Sequence, residues 1–253
     1  MGCIALGLIL TWQTALGEWA ETRAIGIFEI RSEFELQGDS LHRMMSELAD
    51  LQDDVSRLLN LQPGTDPIEI NMFQTRGSYR EYLSVRVPQG ASRPALFVRG
   101  QDMGRVYVYR HWGLEQDLRH ECTHALLHNS LPYVPLWLDE GFAEYFEVPA
   151  SRRSTGNVHL GELKRRILFG WKPDLDRLER REDLTEMTAE DYRESWGWAH
   201  FMLHGPMDVR QVLSDYLYDV ESGNVAGRLS ERLRARIPDV EDQLVAHLRN
   251  WGS

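Results

Sequence analysis

Residues 119–147 read RHECTHALLHNSLPYVPLWLDEGFAEYFE, and the way this stretch divides decides the fold. Pro132 and Pro135 lack a backbone N–H and clash with a preceding helical turn, so they stop one helix and force a turn before a second begins in LDEGFAEYFE. On the first helix His120 and His124 stand at i and i+4, on one face and about 6 Å apart along the axis. Two imidazoles so placed can share one metal ion. Glu121, one residue on, projects beside that ion, where a carboxylate is better placed to take a proton from a water than to be a ligand. A catalytic zinc needs a third protein ligand and an open fourth position, and two histidines with one glutamate form such a set. The turn made by the prolines lets Glu140 swing back to complete it.

The neighbours of these four residues divide by direction. Glu144 lies one turn after Glu140, where it would accept a hydrogen bond from the non-ligating nitrogen of a ligand histidine and fix its tautomer; a solvated carboxylate is the alternative. Asp139 points off the ligand face and reads as a surface or capping residue. His128 continues the row from His124, yet lies about 12 Å along the axis from His120, too far to join the same ion. Cys122 faces elsewhere and reads as a small core residue.

HECTH followed by WLDEGFAEY resembles the gluzincin metallopeptidases, in which an HExxH helix is followed by a glutamate in a WLNEGFAEY-like helix, as in the aminopeptidase N family. It looks closest to the smaller bacterial peptidase-MA-like domains. The resemblance is carried by Arg119 to Glu147. It implies a zincin-like fold, one Zn2+ held by His120, His124 and Glu140, Glu121 as the catalytic base, and a peptide or protein substrate. Fifteen residues separate His124 from Glu140, fewer than in the aminopeptidase N relatives, so the connection is tighter here. No GxMEN-like segment stands upstream to hold a substrate amine, and aminopeptidase specificity is not carried over. In those relatives a tyrosine at the start of a later helix stabilises the oxyanion. Tyr192 in DYRESWGWAHFMLHG matches it in position, although RESW departs from the relatives' YExG pattern; a packed aromatic is the alternative. His200 and His204 form a second i,i+4 pair on that stretch. With no acidic third ligand nearby, they read as site-lining or packing residues rather than a second metal site.

The rest of the chain bounds the setting. Its 253 residues, 42% hydrophobic and 26% charged, suit one compact domain, or a domain with a helical subdomain. A formal charge of −11 argues against nucleic acid as a partner. Cys3 and Cys122 are the only cysteines, and no structural disulfide is expected. Residues 1–20, MGCIALGLILTWQTALGEWA, resemble a short signal segment without a basic start, which a start site placed too late would explain. A buried strand or helix is the alternative. The apolar run is too short to span a membrane. The expected location is secreted, periplasmic or cell-envelope, otherwise cytoplasmic.

Beyond that segment, AIGIFEIRSEF reads as one strand, Ser40 to Leu61 as a helix with apolar residues at helical spacing, and Ile68, Ile70 and Met72 as an alternating strand. A short helix is expected around Ser78 to Leu83, then strands in ALFVRG and GRVYVYRH. The last of these is the candidate edge strand beside the metal helix, with Tyr107 and Tyr109 on one face, core or substrate-facing. After Glu147 the chain turns helical: HLGELKRRILFG, the Tyr192 helix, and further helices from about Pro206 and Pro238. The expected fold is α+β, a small N-terminal mixed sheet with helices (21–150) followed by a mainly helical part (151–253), with the metal site between and one integrated catalytic domain. The functional expectation is a zinc metallopeptidase. A catalytically idle zinc-containing peptide- or envelope-binding domain, or a zinc hydrolase acting on a non-peptide amide or ester, are the alternatives.

Overall fold

The computed structural model describes residues 19–36, 38–100 and 102–252, so the signal segment read in residues 1–20 and Cys3 lie almost wholly outside the described part. The expected α+β architecture is present. Five strands, β1 (Glu21–Ile25), β2 (Phe28–Ser32), β3 (Ile68–Phe73), β4 (Ala95–Arg99) and β5 (Gly104–Tyr109), form a mixed sheet in the order β1-β2-β3-β5-β4. β2, β3 and β5 run parallel, and the two outer strands are antiparallel to their neighbours. The stretch read as one strand is a hairpin: Ile25 pairs with Phe28 across a two-residue turn, and Gly26 takes φ +56°, a conformation that costs glycine little.

Helices α1 (Asp39–Leu59) and α2 (Arg76–Arg86) connect the strands. The period-2 alternation of strands sorts the apolar residues onto two faces. Phe28, Ile30, Ile68, Ile70, Met72, Val106 and Val108 join the main core, to which α1 contributes Met44, Leu48, Leu51 and Val55. Phe73 and Tyr107 point the other way, into a smaller cluster with Tyr79 and Leu83 of α2. Tyr107 and Tyr109 thus pack as core, and GRVYVYRH is not an edge: β5 lies between β3 and β4, and β4 is the edge strand next to the metal helix. The order of strands is a non-local property that alternation within one strand does not carry.

The chain then passes through α3 (Leu114–Ser130), which lies on β4 and β5, and α4 (Leu136–Phe146), which packs on α3. Among the described residues six further α-helices follow, α5 (Val158–Leu168), α6 (Leu175–Glu179), α7 (Ala189–His204), α8 (Met207–Glu221), α9 (Leu229–Arg236) and α10 (Val240–Asn250), with short 3-10 turns at Ala150–Arg152 and Leu184–Glu186. α9 has no counterpart in the sequence reading. One buried apolar cluster extends from Phe28 to Leu248, through both the sheet and the helical part. Among the described residues, no helix is long and apolar enough to cross a membrane.

Candidate metal centre

α4 is buried on nearly every side, with Trp137, Phe142 and Phe146 fully enclosed between α3 and α7. Three acidic residues on such a helix need partners, because a buried carboxylate without compensation is costly. Gly141 explains how α7 comes so close: a Cβ there would lie 2.5 Å from the Ser195 carbonyl oxygen, so only glycine fits between the helices. This contact fixes α7, with Tyr192 near its N-terminus, against the helix that carries Glu140.

The ligand set expected from the sequence is brought together. One ligand atom from each of His120, His124 and Glu140 falls within a sphere where all lie less than 4.8 Å apart. The Nε2 atoms of His120 and His124 stand 3.6 Å and 3.8 Å from the two oxygens of Glu140. Those distances are too long for hydrogen bonds. They are close to the edge of about 3.4 Å expected for a tetrahedron with bonds of about 2.1 Å. Glu140 is 4% exposed and has no hydrogen bond among the described residues. Two imidazoles and one carboxylate, converging without hydrogen bonds to one another, could hold a metal ion.

The far sides of both rings meet carboxylates, but not the one expected. Glu147 Oε2 lies 3.2 Å from His120 Nδ1 and Gln116 donates to Glu147 Oε1 at 2.7 Å. Asp139 Oδ1 lies 2.9 Å from His124 Nδ1, a close contact at an angle short of hydrogen-bond geometry, and its other oxygen meets His128 Nε2 at 3.0 Å. Asp139 is therefore a buried partner of the centre, not a surface or capping residue. Glu144 serves neither ligand ring as a hydrogen-bond partner; its carboxylate meets His159 Nε2 at 2.9 Å, although it lies near His120 and Glu147. The sequence signal for Glu147 was its place in the row 140, 144, 147, which faces one direction on a helix. His128 is a neighbour of the centre, and Cys122 is buried in the core.

The electrostatics describe a place that attracts positive charge. Burial disfavours charge on both rings, but Glu140 and Glu147 outweigh it at His120, whose pKa is raised well above 6.5, and Asp139 and Glu140 carry His124 up to about 9. Burial would likewise raise Asp139, yet His124 and His128 hold it below the usual carboxylate range. Glu147 is pushed up, by burial first.

Glu121 reaches round to the sheet edge, where its Oε2 accepts a 2.7 Å hydrogen bond from the backbone N–H of Phe97 on β4. Tyr192 lines the same cleft as His120, Glu121, His124 and Glu140. Burial and the nearby Glu140 push its phenol up to about 12, so it stays protonated and able to donate. Thr188 caps α7 in a capping box with Asp191, and Arg177 bonds Asp191 and Glu194 on either side of Tyr192, which holds this turn in place. Arg93, Leu96 and Leu184 also line the cleft and were not singled out by the sequence. His200 is buried elsewhere, with Ser154 O at 3.0 Å from its Nε2. No protein-family model matches this chain, and no curated protein matches it.

Proposed function

We propose that this chain is a zinc-dependent metallopeptidase of the gluzincin type. The observation that carries the reading is Glu140, a carboxylate 4% exposed and without a hydrogen bond among the described residues, set between the Nε2 atoms of His120 and His124 at 3.6 Å and 3.8 Å. Zinc bound by these three residues would lower the pKa of a water toward 7 and polarise a carbonyl. Glu121 takes the proton of the attacking water through the oxygen not held by Phe97 and passes it to the leaving amine. The Tyr192 hydroxyl donates to the oxygen of the attacked carbonyl as negative charge develops there. Asp139 and Glu147 keep the ligand rings aimed.

A peptide is favoured over another amide or an ester because the cleft borders an edge strand, β4, along which an extended chain can add. The apolar run in residues 1–20 supports a secreted or envelope location. The test is zinc analysis with digestion of a mixed peptide library. Glu121→Gln should keep one zinc per chain and lose turnover, whereas His124→Ala should lose both. A Glu121→Gln protein with full activity overturns the assignment, and stoichiometric zinc with no cleavage by the unaltered protein favours an idle binding domain.

A further inference from the structure

Among the described residues, the cleft over the candidate metal centre is lined by one arginine or lysine, Arg93. It stands two residues before β4. Its backbone N–H donates to Gly90 O at 3.1 Å, and Pro94 fixes the next φ, so the chain that carries it is led firmly into the edge strand. The side chain is exposed, and its guanidinium forms no hydrogen bond or ion pair among the described residues. Other arginines around the centre are committed: Arg119 to Glu47 and to Glu147 O, Arg177 to Asp191 and Glu194. Asp183, which lies within reach of Arg93's field, already accepts from the N–H and hydroxyl of Thr185, each at 2.7 Å.

Leu96, Leu136 and Leu184, each half-buried, also line the cleft. Glu121, Asp139 and Glu140 line the same cleft, and the chain as a whole carries −11. An anionic group entering here meets like charge unless a fixed cation receives it. A guanidinium is a planar fork that matches a carboxylate through two parallel hydrogen bonds.

We propose that Arg93 receives a carboxylate of the peptide substrate beside the bond to be cleaved, either its C-terminal carboxylate or an acidic side chain, and so sets the substrate class. The proposal rests on the peptidase reading of the centre, and the test separates the two. Zinc-loaded full-length protein is given two matched peptide pairs: one with a free or an amidated C-terminus, the other amidated throughout with an internal Glu or Gln. Cleavage is measured as kcat/KM for the unaltered protein, Arg93→Gln and Arg93→Lys, and binding as Kd for Glu121→Gln with and without Arg93→Gln.

In one pair the carboxylate member should be preferred roughly 10- to 100-fold, the usual size of a charge-assisted contact. Arg93→Gln should abolish that preference and Arg93→Lys restore part of it. The pair that responds identifies the carboxylate. Absence of preference in both pairs, or a preference that survives Arg93→Gln, overturns the proposal. If nothing is cleaved but Glu121→Gln binds the carboxylate member in an Arg93-dependent way, the peptidase reading fails and the Arg93 site stands; with neither cleavage nor selective binding, both fail.

Discussion

His120 and His124 on α3 and His200 and His204 on α7 have the same i,i+4 spacing, with ring centroids 4.9 Å and 4.7 Å apart, yet their surroundings are opposite. Around the first pair stand Glu140, Glu147 and Asp139, and the rings attract charge. The second pair is enclosed by Trp196, Trp251, Tyr145 and His247. There His200 Nε2 donates to Ser154 O, leaving Nδ1 to accept from His247 Nε2 at 2.9 Å, and His204 Nε2 meets the Tyr145 hydroxyl at 2.7 Å. Burial without a carboxylate drives His200 down to about 3 and His247 to about 4, so both stay neutral. Spacing places the rings; the groups that face them decide whether the place suits a cation.

The comparison can be broken most sharply by metal content. His120→Ala should reduce zinc from one ion per chain to none after dialysis, whereas His204→Gln should leave it at one; equal loss in both variants would erase the distinction. A smaller effect sharpens it. Asp139→Asn and Glu147→Gln should each weaken zinc binding by roughly 10- to 100-fold in competition with a chelator, and Glu144→Gln by less, because Glu144 is engaged with His159. An effect of Glu144→Gln as large as that of Glu147→Gln would place Glu144 too behind one of the ligand rings.

The smallest effect is on stability. The folded-state pKa values of His200 and His247 lie below the unfolded value of 6.5, so between those limits the unfolded chain binds more protons. The stability they contribute is complete above pH 6.5 and lost as pH falls toward about 4 and then 3. Melting of the zinc-loaded protein should therefore drop by on the order of 5 °C from pH 7.5 to pH 5, and His247→Gln should flatten that slope. An unchanged slope in His247→Gln would mean that this cluster is not held neutral.

How much of this was legible in the sequence follows from the range of each signal. Helical spacing gave the pairs and placed Glu144 one turn after Glu140, and the two prolines gave the break between α3 and α4. Glu144 was read as the carboxylate behind one of the paired histidines, whereas Glu147, one turn on, meets His120, because α5 brings His159 to Glu144 and α3 brings Gln116 and His120 to Glu147. Asp139 was misread because its position off the ligand face said nothing of His124 and His128 waiting beside it. The two-strand hairpin hid behind a run of β-formers, and Gly26 was the residue that marked it.

The sequence by itself determined which side chains share a helix face, because a residue's direction is set by the local repeat of 1.5 Å and 3.6 residues per turn. It thereby determined His120, His124 and Glu140 as candidate ligands and Glu121 as the candidate base beside them. Only the tertiary structure decided that acids surround one histidine pair and aromatic rings the other, that β4 and not β5 forms the edge, and that Arg93 opens on the cleft. The reason is that the cost of burying a charge is settled by groups from other elements, brought near by packing such as the Gly141–Ser195 contact, and no local repeat encodes them.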